Sequence, residues 1–234
     1  MVAYVSLLLG GSIVGLAILE LKYNLNFSTQ DFVSLASAYL LALLVLQGTL
    51  TFFTEPRLHV IEDEPRPPHF VKLKHSQRDF SIFVVKIGVY NEAGKLSKTA
   101  KECRAGISLS DAPTTVEGIL AWQRYSQDEI ELPGSVNVLS AKSIVEALRP
   151  TVFAQTETVL HRRDGQNVIV AFGLETTGKI YLATDPPIPT DNIPSNRAFY
   201  HVVISADECA SIRSNSFSLV GSSWKNFQIS FVAK

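Results

Sequence analysis

Charge is nearly missing from the start of this 234-residue chain: residues 1–54 hold only Glu20, Lys22 and Asp31. A basic excess is missing from the remainder. Setting Lys22 aside from the 21 basic residues, and Glu20 and Asp31 from the 22 acidic ones, leaves 20 of each in residues 55–234. Binding to a nucleic-acid backbone needs clustered Lys and Arg, so that balance excludes nucleic acid as an expected partner. Cysteine is scarce as well. Cys103 and Cys209 lie 106 positions apart, too few and too distant for a disulfide framework or a thiolate zinc cluster. Two isolated thiols and one disulfide closing a sandwich both remain open. The Gly-x-Ser-x-Gly elbow of hydrolases is absent. His59, His69, His75, His161 and His201 lack the three- or four-residue spacings that set two imidazoles on one metal. No catalytic residue, cofactor site or metal site is expected, and no small-molecule substrate is evident.

Long uncharged runs are what the N-terminus does have. Residues 1–19 contain no charge and span about 29 Å as a helix, and residues 32–54 about 35 Å, both near a bilayer's hydrocarbon thickness. A signal peptide would open with Lys or Arg and end at small residues. The start here is Met-Val-Ala-Tyr, and Leu19 is followed by Glu-Leu-Lys. The expectation is a two-helix transmembrane hairpin over residues 1–54, with Ser28-Thr29-Gln30-Asp31 as a capping box for its second helix. Helices in lipid approach through small side chains. Gly11 and Gly15 on the first helix, and Ser34, Ala38 and Ala42 on the second, are the expected helix-packing residues. They would serve the hairpin itself, or contact another copy or subunit.

Lys22 stands alone in the connecting loop, whereas Arg57, Arg66, Lys72 and Lys74 follow the second span. The positive-inside rule then places the N-terminus and the C-terminal domain on the cytoplasmic side of a cell membrane. Residues 55–68, rich in Pro, Glu and Arg, read as a linker. From residue 69 the apolar period becomes two: Phe83, Val85, Ile87 and Val89 alternate along one strand, and Cys103, Ala105, Ile107 and Leu109 along another. Further strands are expected at residues 129–132, 158–162, 167–172, 179–184, 200–205, 217–220 and 227–232. One short helix is expected at residues 140–148, where Ser140 caps, Ile144, Val145 and Leu148 share a face, and Pro150 follows. Short alternating strands in this number predict an all-β antiparallel sandwich over residues 69–234.

Val85-Lys-Ile-Gly-Val-Tyr-Asn-Glu-Ala-Gly94, followed by Ala100-Lys-Glu-Cys-Arg-Ala-Gly-Ile107, resembles a pattern of immunoglobulin-like sandwich modules, the CARDB-type domains among them. The resemblance covers about 25 residues. It implies a sandwich used for adhesion or interaction, commonly outside the cytoplasm. The charge rule points the other way and is the one followed here.

Four motifs read more simply as structure. Gly173-Leu-Glu-Thr-Thr-Gly178-Lys179 has phosphate-loop spacing, but Ile180-Tyr-Leu follows instead of Ser or Thr and a helix. It reads as a hairpin turn. His161-Arg-Arg-Asp164 reads as a turn before Gly165. Glu62-Asp-Glu64 reads as a solvated acidic run. Pro65–Pro68 and Pro186–Pro189 fit P-x-x-P but read as a stiff linker and a loop. The expected function is a membrane-anchored, non-enzymatic interaction module, an accessory subunit of a membrane complex, with the bilayer and a protein as partners. The alternative is a ligand-binding or hydrolytic domain whose residues converge only in three dimensions.

Overall fold

The computed structural model describes residues 29–63, 66–92, 98–109, 118–123, 127–155, 157–192, 199–207 and 209–232. The chain divides into two units at Phe53 and Thr54. The first contains α1 (Thr29–Thr54). The expected pair of transmembrane helices is overturned: among the described residues no helix is long and apolar enough to cross a membrane. Residues 1–28, with the first expected span, lie outside the described residues. The second expected span falls in α1, where absence of charge is not apolarity. Ser34, Ser37, Tyr39, Gln47, Thr49 and Thr51 punctuate it. Its longest unbroken apolar run is residues 40–46, about 10 Å of helix against a hydrocarbon core of about 30 Å. Ser37 Oγ donates to the Val33 carbonyl (2.7 Å), and Thr49 Oγ1 to that of Val45. The two-pass topology, and the localisation derived from it, rested on the hairpin and fall with it.

The second unit is mostly β-sheet. Its strands are β1 (Leu58–Ile61), β2 (His69–Lys74), β3 (Phe80–Asn91), β4 (Ala100–Leu109), β5 (Gly118–Gln123), β6 (Glu129–Glu131), β7 (Phe153–Gln155) and β8 (Glu157–Leu160). They continue with β9 (Gly165–Leu174), β10 (Lys179–Leu182), β11 (Ile188–Pro189), β12 (Tyr200–Ala206), β13 (Cys209–Arg213), β14 (Phe217–Ser223) and β15 (Asn226–Phe231). One short helix, α2 (Ala141–Leu148), begins at Ser140, whose Oγ accepts from Ser143 N (3.3 Å).

Hydrogen-bonded neighbours run β15-β14-β12-β4-β5-β9-β3-β2-β6. Every pair is antiparallel except β2 with β6, a departure from the purely antiparallel expectation. β5 is the corner of the fold. Its first half pairs with β4, while Ala121 and Trp122 pair with β9.

β3 explains the layering. Burial runs almost unbroken along its twelve residues because both of its faces are covered. Phe83, Val85, Ile87 and Val89 enter one cluster, facing Ile107 of β4, Val202 and Ile204 of β12, and Phe217 and Phe227 of the β14–β15 hairpin. Phe80, Ile82 and Val84 enter a second cluster on the opposite face, under Ile144, Val145 and Leu148 of α2. Residue 91, at the end of β3, is a fully buried Asn. Its Oδ1 accepts from Arg57 N (3.1 Å), and its Nδ2 donates to the Leu160 carbonyl (3.1 Å). Those bonds pin the start of β1 and the end of β8 to β3.

The β14–β15 hairpin closes over β9. A Cβ placed on Gly173 would lie 1.7 Å from the Trp224 carbonyl oxygen, so only glycine admits that backbone. Gly173→Ala must therefore push the hairpin off the sheet. Its expected cost is at least about 2 kcal/mol, as for other overpacking changes, read from urea unfolding of the full chain. Gly178→Ala supplies the contrast, since Gly178 has φ +67° and nothing within 4 Å of an added Cβ; about 1 kcal/mol is expected from backbone conformation alone. Equal midpoints for wild type and Gly173→Ala would disprove the closure.

Candidate functional site

The structure brings few of the expected site residues together. Gly11 and Gly15 lie outside the described residues, while Ser34, Ala38 and Ala42 share α1 and are exposed. The phosphate-loop spacing is a hairpin: Lys179 pairs with Leu174, Gly178 N donates to the Leu174 carbonyl (2.9 Å), and Lys179 Nζ meets Asp191 (2.7 Å). His161–Asp164 is a turn, closed by Asp164 N to the His161 carbonyl (3.1 Å). The Glu62 carboxylate accepts from Asn215 N (2.6 Å) and Asn215 Nδ2. Among the described residues no group of three His, Cys, Asp or Glu side chains is placed to hold a metal.

Both cysteines are free thiols. Cys103 is fully buried, and Trp122 Nε1 donates to its carbonyl (3.0 Å). Burial pushes the Cys103 thiol up to about 11, and burial also raises Cys209. Raised values of this kind keep both groups in the thiol form at neutral pH.

Ser216 and His201 form a contact that spacing in the chain does not reveal. Ser216 Oγ lies 3.2 Å from His201 Nε2, and His201 Nδ1 lies 2.9 Å from the Ser214 carbonyl. With Nδ1 protonated towards that carbonyl, Nε2 is free to accept from the serine. This is the order of a nucleophile, a base and a group that orients the base.

Cavities open on the β-unit beside described residues of β2 and of β15. The larger, about 410 Å³, lies beside Lys72, Lys74, Asp79, Ser81, Glu129 and Glu175. Its charges are largely internally satisfied: Lys74 pairs with Glu129, and Glu175 accepts from Ser81 N (2.6 Å). The smaller, about 200 Å³, lies where β15 approaches β3, between Arg66, Pro67 and Pro68, Val85 and Lys86, and Asn226 to Ile229. Its polar groups differ in kind. Arg66 Nε is buried with no hydrogen-bond partner, a costly state for a charged donor. Lys86 Nζ donates to Gln123 Oε1 (3.1 Å), which also accepts from Asn167 Nδ2 (3.1 Å). Burial, and then the Arg66 charge, lower the Lys86 pKa.

Beside this cavity runs a free edge. Val232 N donates to the Ser216 carbonyl (2.8 Å). Bonded pairs alternate along an antiparallel ladder, so Ser218 with Ser230 and Val220 with Gln228 are bonded pairs as well. The backbone groups of Phe227, Ile229 and Phe231 therefore point away from β14. Among the described residues β15 has no other strand partner.

Cys103 yields a pH test with a defined sign. The folded thiol stays protonated to about pH 11, whereas an unfolded thiol ionises near its ordinary value of 9. Between those values the native state binds the extra proton, so this contribution to stability falls as pH rises. Wild type should lose up to about 2 kcal/mol relative to Cys103→Ala across that window, measured by urea unfolding at each pH. Parallel profiles would contradict the buried thiol. No known family, curated protein or solved structure matches this chain.

Proposed function

We propose that residues 54–234 form a non-enzymatic interaction module that takes an extended segment of a protein partner along β15, as a subunit of a larger complex. The observation that carries this reading is the unguarded edge. Proteins blunt exposed strand edges with charge, proline or shortness. Several other margins of this sheet follow that rule: β6 is Glu-Ile-Glu, β8 opens with Glu157, β13 ends in Arg213, β11 holds Pro189, and β7 has three residues. β15, Asn-Phe-Gln-Ile-Ser-Phe, has six residues, no charge and no proline. An edge of that kind suits strand addition, in which main-chain bonds give affinity and alternate side chains give selectivity. The resemblance of β3 and β4 to immunoglobulin-like modules favours the same role.

A photoreactive residue at Gln228, which is exposed, should form an adduct with an extended partner segment when the full chain is irradiated in its native cells. Ser230→Lys, which puts a charge on the same edge, should abolish that adduct without changing the unfolding midpoint. An adduct indifferent to Ser230→Lys, or equally strong from position 142 on α2, would refute the reading.

Ser216 and His201 are the observation that favours hydrolysis instead. Neither the cavity beside Lys72 nor the one beside Arg66 is lined by them. Fluorophosphonate should leave Ser216 unlabelled. Labelling that disappears in His201→Ala would replace the interaction reading with an enzymatic one.

A further inference from the structure

We propose that β15 ends short of the layer beneath it, and that the step so formed takes a single extended segment with apolar side chains at alternate positions. The same step refuses the edge of a second two-layered domain, another copy of this chain included. The inference rests on the interaction reading and names the kind of partner it takes. Three observations converge on it.

The first is that the layers end unevenly. Both leave the β5 corner: one runs through β4, β12 and β14 to β15, the other through β9, β3 and β2 to β6. Phe227 of β15 sets its ring on Phe83 of β3 (5.2 Å). At the other end of the hairpin Asn215 is bonded to Glu62, which follows Ile61 opposite Gly88 of β3. The hairpin therefore runs along β3, and β2 and β6 project beyond it. The second observation is an uncovered floor. Phe70 pairs with Phe83 across the β2–β3 ladder and stacks on its ring (4.7 Å), so both rings lie on the β15 side. Yet Phe83 is 4% exposed and Phe70 49%, because β15 covers the one and stops short of the other. Lys72 and Lys74 share the exposed face of Phe70, while Val71 and Leu73 enter the second cluster on the opposite face. The third observation is the edge above this floor, where the backbone groups of Phe227, Ile229 and Phe231 point away from β14.

A strand bonded to β15 lies about 4.8 Å from it and about 10 Å above the layer below. Its inward side chains then land on β2 and the residues leading into it. Side chains two apart in that strand match the two-residue repeat of Pro68, Phe70 and Lys72 in the floor. Pro68 and Phe70 are apolar and exposed, and further along Lys74 already has Glu129. The segment that fits thus carries two apolar side chains, two positions apart, over Pro68 and Phe70. The cavity of about 200 Å³ beside Pro68, Phe83 and Phe227 gives the first of them room. A second copy cannot offer its own β15 here. That strand would arrive with its own β3 beneath it, in the space that β2 fills. Shape guards this edge where charge guards β6: an isolated segment enters, and a layered neighbour is kept out.

The test uses the full chain and two capped hexapeptides, one alternating Thr with Val and one alternating Thr with Ser, followed by NMR of the β15 amides and the Phe70 ring. The Thr-Val peptide should shift both sets of signals saturably and bring its Val methyls into contact with the Phe70 ring. It should bind at least about tenfold more tightly than the Thr-Ser peptide, from the apolar surface it buries. Phe70→Ser should remove that preference and leave the β15 response. Phe70→Leu should keep most of it, which separates loss of the anchor from loss of the fold. Purified full chain carrying the photoreactive residue at Gln228 should form no adduct between β15 strands of two copies. Equal β15 responses to the two peptides, with the Phe70 ring silent, would overturn the step and leave the interaction reading standing. No response at β15 to either peptide would overturn both. An adduct joining β15 to β15 of another copy would also overturn the proposal and assign the edge to self-association.

Discussion

Burial of β3 and β9 on both faces is the constraint on which the β-unit depends. The two strands share a register from Ile82 with Leu174 to Tyr90 with Gly165. Their side chains serve two separate apolar clusters. A one-residue slip would exchange those clusters' members. Val85 pairs with Ala171 and Lys86 with Ile169, so Val170 is an extra residue that joins the first cluster while alternation is kept on either side. β4, β5 and β12 then fold over one face and α2 over the other. Phe227 lies over Phe83 of this same pair, so the step beside β15 inherits its geometry from the core.

The sequence made the two-period strands and α2 legible where one face alternates or a cap is explicit. Ser140, Ile144 and Leu148 sit where their spacing puts them. It hid strands that lack alternation or are flanked by proline. Leu58–Ile61 reads as linker beside Pro56 and Pro65, yet it pairs with Gly88 through Asn91. Gly118–Gln123 turns a corner between two partners, so no single face governs its composition. α1 misled for a different reason. Counting charges treats Gln47, Thr49 and Ser37 as if they were leucine, and hydroxyls bonded back to their own helix leave no trace in such a count.

The candidate site was illegible because its parts are remote in the chain. Phe70, Phe83 and Phe227 span more than 150 positions, and their alignment exists only after β15 has folded back over β3. Pro68 even belongs to a stretch whose composition says linker. The motif that did stand out, Gly173 to Lys179, has a steric rather than a chemical meaning. Its first glycine makes room for Trp224, and its lysine is occupied by Asp191. Spacing alone cannot separate a glycine needed by a phosphate from one needed by a neighbouring backbone.

The distance in sequence between β3 and β9 also has a temporal side. β3 ends at residue 91 and β9 begins at residue 165, with β4 to β8 in between. At roughly 5–20 residues per second of synthesis, β3 waits several seconds for the strand that covers its flank. During that interval a twelve-residue strand rich in apolar side chains, suited to pairing on both edges, is unprotected on the nascent chain. Pairings this remote are also slow to form once the chain is complete. The feature that makes the finished sheet rigid is thus the one that leaves the growing chain dependent on whatever shields it during synthesis.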